Sequence, residues 1–199
     1  MNPHRLLVLI AAFFFLVCVQ VRGAVFTYAA TLNGANEAPV NVSAGTGVAT
    51  VTYNDFLNTL RVQVTFSGLT GVTTAAHIHG PTALAGAGTA GVITVTPTFT
   101  GFPLGVTSGS YDNTFDLTLS GSWNPSFITN NGGTVGSAET VLAAALADGK
   151  AYFNIHTSVY GGGEIRGFLV PAQTPDAGTT AAMLGCVLMG LAAMRRKQV

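Results

Sequence analysis

The chain has 199 residues, 48% of them hydrophobic and only 8% charged, with a formal net charge of zero. Both cysteines, Cys18 and Cys186, lie in apolar segments near the ends, so the stretch between has no internal disulfide, cysteine nucleophile or thiolate metal site. That stretch sets only Arg61, Lys150 and Arg166 against Glu37, Asp55, Asp112, Asp116, Glu139, Asp148 and Glu164, a sparse, mildly acidic balance that excludes nucleic-acid binding by phosphate neutralisation.

Residues 1–23 read as a signal peptide. A polar start with His4 and Arg5 precedes an unbroken apolar run from Leu6 to Val19, and Val21 and Gly23 suit the small-residue positions of a signal-peptidase site. Cleavage is expected before Ala24. The apolar run is shorter than the roughly 20 residues that a spanning helix needs.

Residues 24–173 read as one all-β domain. Val25–Leu32, Gly47–Tyr53, Leu60–Phe66, Thr73–His79, Val92–Thr96, Phe115–Leu119, Ala151–His156 and Glu164–Val170 are rich in Val, Thr, Phe, Tyr and Ile and are separated by Gly, Asn and Pro clusters. Arg61, Gln63 and Thr65 alternate with Val62, Val64 and Phe66, the pattern of a sheet with one wet face. One short helix is predicted near 138–148, with Ser137 as N-cap, Glu139 in the first turn, a stripe of Val141, Leu142, Ala145 and Leu146, and Gly149 at its end. The expected fold is an antiparallel Greek-key sandwich or flattened barrel. Gly86, Gly88 and Gly91 match a dinucleotide fingerprint in spacing only, because no helix is predicted after them, and they read as a turn. No Gly-x-Ser-x-Gly elbow is present.

After Pro175-Asp176-Ala177-Gly178 the chain runs apolar from Ala181 to Met194 and stops on Arg195-Arg196-Lys197. As a helix, 181–194 is about 21 Å long against a hydrocarbon core of about 30 Å, and the basic cluster would stay on the cytoplasmic side. Pro175, Asp176, Gly178, the short apolar helix, Arg195 and Arg196 resemble the bacterial PEP-CTERM family of C-terminal sorting signals, in its Pro-Asp variant, over residues 174–199. The resemblance implies transient membrane anchoring and an exosortase-type enzyme, acting after signal peptidase, that moves the protein to the cell surface or extracellular matrix.

Within the domain His77, His79 and His156 are the side chains that stand out for chemistry. Side chains alternate along a strand, so His77 and His79 share a face opposite Ala76 and Ile78, and His156 shares one with Asn154 and Tyr152 opposite Phe153 and Ile155. With the apolar residues inward, all three imidazoles fall on the outward side and converge if the two strands are neighbours. A His-x-His pair suits zinc or copper, and ring nitrogens more than about 6 Å apart would not share one ion. Glu164 and Arg166, two apart on one strand, are placed in a structural network beside them.

Glu37-Ala38-Pro39, Ala76-His77-Ile78-His79-Gly80-Pro81 and Tyr152-Phe153-Asn154-Ile155-His156-Thr157, followed by Gly162-Gly163-Glu164-Ile165-Arg166-Gly167, resemble the CHRD domain, the module named after chordin, over about residues 25–170. That resemblance implies an extracellular module. A more distant likeness is to copper-zinc superoxide dismutase, where a His-x-His strand and a later single histidine supply copper. This chain lacks that enzyme's bridging histidine, zinc-binding loop and disulfide, so the likeness implies a three-imidazole site for copper or zinc with an open position rather than a complete dismutase centre. Two readings follow. The first is an exported, surface-sorted, non-catalytic module binding a matrix polysaccharide or surface protein. The second is a copper or zinc protein with redox or metal-handling activity.

Overall fold

The computed structural model describes residues 23–172. The signal-peptide reading and the sorting segment, with its apolar stretch 181–194, therefore lie outside the described residues. Among the described residues no helix is long and apolar enough to cross a membrane.

One half of the sheet is built from long, regular hairpins. Strand β1 (Val25–Asn33) pairs with β2 (Thr46–Asn54) from Val25↔Asn54 to Asn33↔Thr46, and β2 pairs with β3 (Thr59–Ser67) from Thr46↔Ser67 to Asn54↔Thr59. Alternation holds throughout: Ala49, Val51, Tyr53, Leu60, Val62, Val64 and Phe66 are buried while their neighbours face outward, the one-wet-face pattern. The β2–β3 turn follows from Asn54, whose side chain accepts the Phe56 and Leu57 amides.

The chain then crosses to the opposite edge for β4 (Thr73–His79) and returns to place β5 (Gly109–Asp116) against β3. Strand β6 (Tyr152–Thr157) pairs with β4, β7 (Ile165–Phe168) with β6 and β1, and the two-residue β8 (Val170–Pro171) with β1. The order is β4-β6-β7-β1-β2-β3-β5, all antiparallel, in a sheet curled into a half-barrel. Residues 91–106 cover the free edge of β4: the amides of Ile93 and Phe99 donate to the carbonyls of Ile78 and Ala76, and the Ile78 and Ala76 amides donate to the Thr94 and Thr98 hydroxyls. An edge covered in this way is closed to strand addition.

Two predicted strands differ. Val92–Thr96 makes only single bridges, Val92 to His79 and Thr94 to Trp123, because the Thr94 hydroxyl takes the place of a ladder carbonyl for Ile78. The predicted Phe115–Leu119 lies earlier, as Gly109–Asp116; Gly, Ser, Asp and Asn are weak strand formers, and the ready ladder of β3 overrides that preference.

The helices differ too. Helix α1 (Pro125–Asn130) was not expected, although Asn124 caps it by accepting from the Ser126 amide and Pro125 starts it. Helix α2 (Val135–Ala147) begins at Thr134, three residues earlier than expected, with Ser137 completing a capping box. Gly149, at φ +65°, ends it: its amide donates to Leu146 O and that of Lys150 to Ala145 O, a Schellman closure. Gly86 and Gly88 have positive φ, and no helix follows them. Glu139 is buried in α2 and accepts the Tyr53 hydroxyl at 3.1 Å. Packed inside the sheet, Phe99, Phe115, Phe153 and Tyr111 form an aromatic cluster.

Candidate metal centre

Strand pairing brings the three histidines together. In the β4–β6 ladder Ala75 faces His156, His77 faces Asn154 and His79 faces Tyr152; β6 then sets Asn154 against Arg166 and Tyr152 against Phe168. Cross-strand partners point to the same side, so one face carries His77, His79, Tyr152, Asn154, His156 and Arg166. The other carries Ala76, Ile78, Phe153, Ile155 and Ile165, all fully buried in the core. The imidazole face is opposite the core, as strand parity requires, but it is not open to solvent. His77 and His79 are only 6% and 8% exposed, and His156 is half-buried, because residues 88–97 and 160–163 roof this part of the sheet.

Each imidazole is fixed by one backbone carbonyl. His77 Nε2 bonds Pro97 O at 2.7 Å, His79 Nδ1 bonds Ala90 O at 3.0 Å, and His156 Nδ1 bonds Gly161 O at 3.0 Å. A carbonyl only accepts, so these nitrogens carry the protons, and the other nitrogen of each neutral ring bears a lone pair. Those other nitrogens, His77 Nδ1, His79 Nε2 and His156 Nε2, are buried and have no hydrogen-bond partner among the described residues. One ring nitrogen from each histidine lies within 4.8 Å of the others, inside the limit of about 6 Å for sharing an ion.

The electrostatics favour neutral rings. Burial pushes His77 and His79 down to about 4, aided by the neighbouring His156, and against the pull of the Pro97 and Ala90 carbonyls. Burial lowers His156 as well. Three like charges in one desolvated space are excluded, so the rings stand as lone-pair donors at neutral pH.

A layer of side chains holds this face in place. The Tyr152 ring stacks on His79 at 4.9 Å and 8°, and its hydroxyl donates to Ala90 O at 3.2 Å. Arg166 lies over Tyr152 at 4.8 Å, donates to Asn36 O and to Gly88 O, and pairs with Glu37 at 3.8 Å. Burial raises Glu37 to about 7 despite Arg166. Gly163 must be glycine here: at φ +134° a Cβ would lie 2.7 Å from Glu37 Oε1 and 2.5 Å from Asn154 Nδ2.

Glu164 is fully buried on its own cluster of bonds, accepting from the Ser43 and Thr157 hydroxyls and from the Thr70 and Gly71 amides. Burial pushes its carboxyl up, and these donors outweigh it and hold it below the usual range. Glu164 and Arg166 thus gather different loops. Sequence reasoning missed Glu37, Asn154 and Tyr152 as parts of this site; Glu37 stood in a quoted motif, and strand parity had already placed the other two beside His156.

The set of donors, three neutral imidazoles each oriented by a carbonyl at its far nitrogen, is the arrangement that zinc and copper sites use to fix the ligand tautomer. Copper or zinc at about 2.0–2.1 Å from each nitrogen would leave a coordination position open.

A VPDSG-CTERM motif matches residues 175–197 and suggests an exported protein. No curated protein and no solved structure matches the chain. The CHRD domain model matches residues 28–169, from the first core tyrosine to Leu169 beside β7, and so takes in all three histidines, Glu37 and Arg166: the chain belongs to the CHRD domain family.

Proposed function

We propose that this exported, surface-sorted CHRD domain holds one copper or zinc ion on His77, His79 and His156. One observation carries the reading: each histidine has one buried ring nitrogen without a protein partner and the other tied to a carbonyl, and one ring nitrogen of each lies within 4.8 Å of the others. Leaving a buried acceptor unpaired costs about 1–3 kcal/mol, and a shared ion removes three such costs at once. The 4.8 Å that spans one ring nitrogen of each histidine lies inside the limit of about 6 Å for sharing an ion at bond lengths near 2 Å.

The test is equilibrium dialysis of the protein against copper and zinc, followed by elemental analysis. About one equivalent of metal is expected, and the His77→Ala/His79→Ala variant should retain none. A wild-type protein without stoichiometric metal overturns the reading.

A second reading, attachment to a matrix polysaccharide or surface protein, is favoured by the loops that Glu164 gathers. Val42, Val72 and Val159 are exposed large apolar residues on those three loops. Replacing all three with serine should release the protein from its matrix if they form the contact.

A further inference from the structure

The start of β1 makes a reciprocal contact. The Ala24 amide donates to Asp55 Oδ1 at 2.7 Å, and the Asp55 amide donates back to Ala24 O at 3.3 Å. This pair lies one step beyond Val25↔Asn54, the last rung of the β1–β2 ladder, and so clasps the open end of the hairpin.

Asp55 is exposed in the turn between β2 and β3, and no side-chain cation serves it among the described residues. The cations there pair elsewhere: Arg61 with Asp112, Lys150 with Asp148 and Arg166 with Glu37. Of the groups near Asp55, Glu139 is a second acid and Tyr53 is neutral. The carboxylate is thus bonded to the Ala24 nitrogen in a neighbourhood that lacks positive charge. Gly23 adds a second observation. A Cβ there would lie 2.1 Å from Phe56 Cβ, so the uncut chain reaches Ala24 along a path open only to glycine, which is also the small residue a signal peptidase requires.

Resting on the export reading above, we propose that the Gly23–Ala24 peptide bond is the processing site and that Asp55 receives the α-ammonium group its hydrolysis creates. Water adds across the C–N bond; Gly23 leaves as the carboxylate of the leader, and the Ala24 nitrogen takes up a proton. The bond from a neutral amide to the Asp55 carboxylate becomes an ammonium–carboxylate pair, in which donor and acceptor are both charged. Removal of the leader therefore completes the hairpin clasp, and the new terminus is part of the fold rather than a loose end.

The full-length precursor would be expressed, and the exported protein recovered for intact-mass and N-terminal analysis. Its α-amine would be titrated by NMR. A chain beginning at Ala24 is expected, with an amine that titrates roughly one unit above the ordinary 7.7–8.0. Asp55→Asn should return that amine to the ordinary range and lower the Tm by roughly 2 °C, and should have less effect in an uncut chain that still carries Gly23. Protein that stays inside the cell with its leader intact would sink the export reading itself, and an exported chain that keeps its leader would overturn the processing site. A different cut site, or an amine whose titration ignores Asp55→Asn, would leave export standing and overturn the role of Asp55.

Discussion

The two halves of the sheet obey different rules. In β2 and β3 burial alternates, and the outward side chains are mostly polar, with threonines, Asn54, Arg61, Gln63 and Ser67 beside the exposed Val48. In β4 and β6 nearly every residue is buried on both faces, because irregular chain roofs the side away from the core. A polar group on the first half can use water; on the second it must find a protein partner or another ligand. The unpartnered buried side-chain atoms found among the described residues are Glu37 Oε1, Asn154 Oδ1 and one nitrogen of each histidine, and all of them lie on the roofed half. A protein keeps such costs where it has a use for them.

The sharpest way to break this contrast is at Glu164. Its carboxylate takes hydrogen bonds from Ser43, Thr70, Gly71 and Thr157 in a fully buried position, and Glu164→Ala would strand four donors. We expect a loss of about 3–4 kcal/mol in urea denaturation. A loss under about 1 kcal/mol would show that the roofed half is not held by these bonds.

Acid provides the second test. His77 and His79 titrate at about 4 in the folded protein against about 6.5 when unfolded. Between these values the unfolded chain binds more protons, so stability of the metal-free protein rises with pH through that window and falls as pH drops from about 6.5 to 4. The His77→Gln/His79→Gln variant should flatten the slope of Tm against pH over that range. An unchanged slope would assign the acid sensitivity to other groups.

The smallest effect belongs to the regular half. Arg61 grips Asp112 through two bonds, at 2.8 and 2.6 Å, with both side chains about half exposed. Exposed pairs contribute little, so Arg61→Ala should leave the denaturation midpoint nearly unmoved. A large shift would mean that the outer face carries more of the fold than its exposure suggests.

The same contrast explains what the sequence made legible. Val25–Asn33, Thr46–Asn54 and Thr59–Ser67 lie within a residue of expectation, since one wet face writes alternation into the chain. Strand parity also grouped His77, His79 and His156 on one face. It could not show the roof, which is made of carbonyls from Ala90, Pro97 and Gly161, and backbone atoms leave no mark on residue type. Glu37 shows the same limit: its burial depends on Arg166, 129 positions away in sequence, and on a glycine wall at 163. The early start of α2 had a local cause, a capping box completed by Ser137 where Glu or Gln is the usual signal.

The short β8 brings the end of the described chain back to the start of β1. The Ala172 amide donates to Thr27 O at 2.8 Å, so the chain leaves the domain beside the place where β1 begins. The row His77, Asn154, Arg166 and Asn33 crosses the far end of β1, six residues and roughly 20 Å further along the strand. Any tail that grips a surface therefore grips the domain by the edge remote from the imidazoles.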